Sequence, residues 1–172
     1  MDYKQRLKAD LMKAAQSGNV DGARKALHQG VDVNTRDKHD RTALMHAADC
    51  GHTEVVSELL RSGANPRLKE KYFGRTALMF AMSGGDLKMA KELLDSGAEV
   101  NATDNGFETA LMIAVYHNRD DLAPLLLSEG ADAALRDENN RTAMDMAQYY
   151  KYDKLVGILQ EAITRRLRVT VS

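Results

Sequence analysis

Between Asp40 and Ala64 the apolar residues fall at 43, 44, 47 and 48, then again at 55, 56, 59 and 60. That i, i+1, i+4, i+5 spacing puts one apolar stripe on each of two short helices. Thr42 stands where a hydroxyl can cap the first helix, and Gly63 where the second would end in a left-handed turn. Helices this short bury too little to be stable alone, so the pattern requires a copy of itself on either side.

The chain supplies those copies. Thr42, Thr76, Thr109 and Thr142 recur at spacings of 34, 33 and 33, and Gly30, Gly63, Gly97 and Gly130 at 33, 34 and 33. Leu59-Leu60, Leu93-Leu94 and Leu126-Leu127 keep the same register, with Ala26-Leu27 and Ile158-Leu159 in the outer copies. A period of about 33 built from turn, helix, turn and helix is the mark of a stacked array. On these residues the chain resembles the ankyrin-repeat family, whose unit begins Thr-Pro-Leu-His and ends Gly-Ala-Asp-Val-Asn. Gly30-Val31-Asp32-Val33-Asn34, Gly97-Ala98-Glu99-Val100-Asn101 and Gly51-His52-Thr53-Glu54-Val55-Val56 match it closely. The resemblance covers roughly residues 9–162. It implies an all-α fold, an α-solenoid of stacked helix-turn-helix repeats with β-turn fingers. One domain is expected over 1–172, with repeats near 9–37, 38–70, 71–104, 105–137 and 138–162 and a basic tail over 163–172.

Several positions depart from the family pattern. Residues 3–8 form a polar lead-in, and Ala9 stands in the place of the first cap. The junction before the third repeat is one residue longer and holds Pro66. Pro124 should delay or bend its helix. Lys151 replaces an inter-helix glycine, and Asp145 a methionine. The family's Thr-Pro-Leu-His becomes Thr-Ala-Leu-Met at 42–45, 76–79 and 109–112. Methionine packs adaptably but cannot replace histidine's bonds between turns. The stack is therefore expected to rely more on packing and less on polar cross-links. Beyond Ile163, three arginines suit the negative end of a helix dipole, in a solvated tail.

Charge gives no bulk direction, with 24 basic against 25 acidic residues, so neither nucleic acid nor membrane is expected as a partner. One cysteine allows no internal disulfide, which suits a reducing compartment. The first ten residues show no leader pattern and no apolar run nears the length that crosses a bilayer. A cytoplasmic site is the expectation, or a periplasmic or secreted one if a leader has been removed, with the free protein monomeric.

No catalytic constellation is legible, and no cofactor or metal is expected. The five histidines are scattered without metal-ligand spacing. Cys50 lies near His52, but no third residue is placed to orient a base, and the repeat pattern explains both. Met82-Ser83-Gly84-Gly85-Asp86 reads as an inter-helix turn rather than a phosphate loop, and Asp120-Asp121 as the acidic start of a helix.

By the resemblance, partners meet the finger tips and a concave palm lined by the first helices. Carried over position by position, the candidate partner-binding residues are Lys38, His39, Arg41, Tyr72, Phe73, Arg75, Phe107, Glu108, Tyr116, His117, Arg141, Tyr149 and Tyr150. The chain has six Tyr, three Phe and no Trp, and Tyr72, Phe73, Phe107, Tyr116, Tyr149 and Tyr150 all fall on these positions. Exposed aromatics are the preferred anchors of interfaces. Residues 67–75 carry Arg67, Lys69, Lys71 and Arg75 against Glu70, whereas 101–108 carry only Asp104 and Glu108. An acidic patch on a partner would suit the former. The expected function is therefore non-catalytic protein–protein recognition. The alternative is a dedicated inhibitor or self-protection (immunity-type) partner that blocks an enzyme's active site.

Overall fold

The computed structural model describes the backbone of residues 2–170 and the side chains of 2–166. The described residues form ten α-helices and no strands. The chain divides into two compact units, Met1–Glu99 and Val100–Ser172.

The first unit holds α1 (Tyr3–Ser17), α2 (Val20–His28), α3 (Ala43–Asp49), α4 (Thr53–Arg61), α5 (Ala77–Gly84) and α6 (Leu87–Asp95). They pair as hairpins α1/α2, α3/α4 and α5/α6. The inner helices α1, α3 and α5 pack in one row and the outer helices α2, α4 and α6 in another. Because α3 has a neighbour on each side and α4 behind it, all of Ala43–Ala48 is buried, more than the single stripe of the sequence pattern. The outer α4 keeps that stripe, burying Val55, Val56 and Leu59 while Glu54 stays exposed.

The second unit holds α7 (Ala110–Tyr116), α8 (Ala123–Ser128), α9 (Ala143–Tyr149) and α10 (Asp153–Thr170), as hairpins α7/α8 and α9/α10. Pro124 sits in the first turn of α8, which starts late and has only six residues. Asp120 and Asp121 precede that helix rather than open it. Asp120 pairs with Lys154 (2.7 Å) and Asp121 with Arg119 (2.8 Å).

Both ends of the chain depart from expectation. The lead-in is helical from Tyr3, because Leu7 joins Leu11, Ala14 and Ala15 on the buried stripe of α1, so Ala9 lies inside a helix and caps nothing. The basic tail likewise continues α10 to Thr170. No Gly or Pro interrupts residues 158–170. Arg166 is anchored to Asp132 at 2.6 Å, and the Thr164 hydroxyl donates to the Gln160 carbonyl (2.8 Å). The Arg168 side chain lies outside the described residues.

The repeated threonine caps its helix each time: the amides of Met45, Met79, Met112 and Asp145 donate to Thr42, Thr76, Thr109 and Thr142 Oγ1 at 3.1–3.4 Å. Each such cap contributes about 1 kcal/mol. Met45 and Met79 are buried, and their sulfurs receive the Thr42 and Thr76 amides in long 3.5 Å contacts. Asp145 is exposed and makes the stronger, charged version, taking the Thr142 amide at 2.8 Å. Those bonds hold its carboxyl below the usual range.

Polar cross-links between hairpins accompany the packing. In the first unit Arg24 meets Glu58 (2.9 Å), the Thr53 hydroxyl meets Asp86 (3.1 Å), and Ser57 meets Glu92. Asn34 Oδ1 accepts from the Asn65 amide (2.8 Å), and Asn101 Oδ1 from the Asp132 amide in the second unit (2.8 Å). These cross-links lie chiefly on the outer helices and at the repeat ends.

Candidate functional site

Each finger is built around one carboxylate that binds the amides of its own turn. Asp37 Oδ1 accepts from His39 (2.8 Å) and Arg41 (3.0 Å), Asp104 Oδ1 from Gly106 and Glu108 (both 2.9 Å), and Asp137 Oδ1 from Asn139 (3.0 Å) and Arg141 (2.8 Å). The second finger is one residue longer and carries glutamate here. Glu70 takes the amides of Tyr72 and Phe73 (both 2.7 Å) and of Arg75 (3.2 Å). One extra methylene thus spans one extra residue of loop. Burial pushes the Glu70 carboxyl up, but the three amides outweigh it and hold it below its ordinary value. In the sequence alone Glu70 and Asp104 read as surface charge. Both are buried, because unpaired turn amides would otherwise lack acceptors.

The finger residue at 40, 74, 107 and 140 has a left-handed backbone, with φ of 64°, 72°, 59° and 62°. Asp40, Gly74 and Asn140 are types that tolerate this region, but Phe107 is not. The third finger thus carries an exposed aromatic on a strained backbone.

In the first unit the candidate residues gather around the first two fingers. The His39 and Tyr72 rings lie 5.7 Å apart, linking the finger tips, and the Arg75 guanidinium lies 5.7 Å from the Phe73 ring. Arg41 is half-buried, set 4.4 Å over the Phe80 ring and paired with Asp49 (3.1 Å). Lys38, His39, Tyr72 and Phe73 are exposed, and Arg75 is half-buried.

In the second unit Tyr116, His117, Tyr149 and Arg141 are exposed and Glu108 is half-buried. Arg141 forks onto Asp137 through Nε (2.8 Å) and a terminal nitrogen (2.7 Å). Tyr116 meets His117 edge-on at 5.2 Å. Tyr150 is the exception to the expected exposure and is half-buried. It meets Tyr116 (5.8 Å) and Tyr149 (5.1 Å) edge-on and stacks with Tyr152 (5.6 Å). The other five aromatics expose 56–78% of their surface.

Sequence reasoning missed one polar node. His46, buried on α3, meets Asp37 Oδ2 through Nε2 (2.8 Å) and receives Gln16 Nε2 at Nδ1 (3.3 Å), joining α1, α3 and the first finger. Burial pushes the Asp37 carboxyl up, yet bonds from His46 and from the Arg41 and His39 amides keep it below its usual value. The signal available was a single histidine in the otherwise apolar run 43–48. The Cys50 thiol is pushed up by partial burial and by Asp49, the reverse of what a nucleophile needs. Among the described residues no group of three or more His, Cys, Asp or Glu could hold a metal, and no helix is long and apolar enough to cross a membrane.

Models of ankyrin repeats match residues 11–104 and residues 93–147. The chain belongs to the ankyrin-repeat family. Ankyrin repeats serve in general as protein–protein interaction modules and are typically non-enzymatic. Similar proteins include a mitochondrial disaggregase of Bos taurus, 42% identical over 64 residues, 37% of this chain and 10% of that protein. An ankyrin repeat-containing protein of Treponema pallidum is 43% identical over 61 residues (36% and 20%), and one of Saccharomyces cerevisiae 38% over 55 residues (32% and 11%). The ankyrin chain spans a fifth or less of the length of these relatives.

Proposed function

We propose that this chain is a non-catalytic module that binds a protein partner through its finger tips and the ends of its inner helices. The observation that carries this reading is the exposure of Tyr72, Phe73, Phe107, Tyr116 and Tyr149, in a chain whose core is filled chiefly by Leu, Ala, Met and Val, with Phe80 also buried. Large apolar rings left in water are unfavourable for a monomer, and they are the side chains that most often dominate binding energy. The T-shaped packing around Tyr150 adds support, since it fixes Tyr116 and Tyr149 in place before any partner arrives. The inhibitor reading uses the same surface and has no residue of its own in support.

The test is capture of the partner by the full chain, identified by mass spectrometry, followed by titration of that partner. Tyr116→Ala with Tyr149→Ala should weaken binding by about 30-fold or more, since one buried anchor contributes about 2 kcal/mol. Helical circular dichroism should stay unchanged, and melting should fall only slightly, by the two edge-on contacts to Tyr150. Binding that survives the double substitution would remove these residues from the site.

A further inference from the structure

In the first two fingers the acids are engaged by amides or arginines, while two lysines stand exposed. Glu70 is buried on three amides of its own loop. Asp37 is engaged by His46 and two finger amides. The two remaining acids of this region, Asp40 and Asp49, are held by Arg36 and Arg41. Lys38 and Lys71 are exposed, and neither forms an ion pair among the described residues. Directly after Lys71 come the Tyr72 and Phe73 rings, both more than half exposed, and Tyr72 meets His39, the neighbour of Lys38.

We infer that this finger pair docks an extended acidic segment of a partner protein, in which carboxylates alternate with apolar side chains. This rests on the reading that the chain binds proteins, and it names the chemistry of one stretch of the partner. Charge complementarity at a rim sets approach and selectivity more than affinity, so the lysines select for carboxylates. The rings supply the desolvated contact, which calls for apolar side chains between the acids. The same combination of cations and rings could take single-stranded nucleic acid. A chain with net charge −1 and an isoelectric point near 6.5 lacks the broad positive field such binding needs, which favours the peptide.

The experiment is fluorescence anisotropy on the full chain with three labelled probes. One is a short peptide of alternating glutamate and leucine, the second its glutamine counterpart, and the third an oligouridylate. The glutamate peptide should bind saturably and at least about tenfold tighter than the glutamine peptide. It should weaken as ionic strength rises from about 0.05 to about 0.5 M. Lys38→Glu with Lys71→Glu should lose about tenfold or more at unchanged circular dichroism, and Tyr72→Ala with Phe73→Ala should also lose binding. Equal affinity for the two peptides, indifference to the lysine reversal, or tighter binding of the oligouridylate would each overturn the inference. If the captured partner depends on the rings but not on Lys38 and Lys71, the binding role stands and the acidic segment does not.

Discussion

Replacing Phe107 by alanine and, separately, by glycine isolates the strain in the third finger. Both substitutions delete the ring and its contacts, so their difference reports the backbone alone. At an ordinary position glycine is less stable than alanine by about 0.5–1 kcal/mol, because its unfolded chain has more freedom to lose. At φ 59° the Cβ of alanine meets the following carbonyl, an unfavourable contact of about 1–2 kcal/mol that glycine avoids. The two effects oppose each other, and the second is larger. Phe107→Gly should therefore exceed Phe107→Ala in stability by about 0.5–1 kcal/mol, reversing the usual order. In a chain of 172 residues that is a difference in melting temperature of about 1–4 °C. Urea titration of the two variants at equal m-value is the assay, with wild type alongside. Alanine as stable as glycine, or more so, would refute the claim that the finger holds its aromatic under strain. Both variants should bind the partner more weakly than wild type if the ring is an anchor.

The other expectations follow from single contacts. Gly51→Ala should destabilise by about 2 kcal/mol or more, since an added Cβ would stand 2.6 Å from the Gly84 carbonyl oxygen at a backbone φ of 73°. A thermal melt matching wild type would show that the two hairpins do not approach so closely. Glu70→Gln should cost about 1–3 kcal/mol, because an amide NH2 would face a loop amide now bonded to a carboxylate oxygen. The Glu70 carboxyl is held below its ordinary value in the folded protein, so its contribution is complete above the unfolded carboxyl range. It is lost as pH falls through the lower folded value. Between neutrality and acid, then, wild type should lose more stability than Glu70→Gln. Parallel pH profiles would contradict this.

Much of the architecture was legible because it is periodic. The threonine caps, the glycines closing the outer helices and the apolar register fix where each helix lies, and each acts within a few residues of its own position. That locality is why Thr42, Thr76, Thr109 and Thr142 could be placed before any coordinates, and why Pro124 correctly pointed to a late helix start. The aromatic positions were legible for a related reason. Once leucine, alanine and methionine account for the packing register, most tyrosines and phenylalanines are left over, although Phe80 takes a buried place on α5.

The tertiary structure decided what periodicity does not encode. It drew Glu70 and Asp104 into buried finger caps and joined His46 to residues 9 and 30 positions away. It half-buried Tyr150 and made helix of residues 3–8 and 163–170. In each case the outcome depends on which groups a neighbouring hairpin or turn presents. A buried amide demands an acceptor, and a ring beside three others loses its water, whatever the local sequence favours. The sequence alone therefore determined a repeat array with an aromatic surplus, whereas the direction in which each charge and ring points was settled only when the hairpins met.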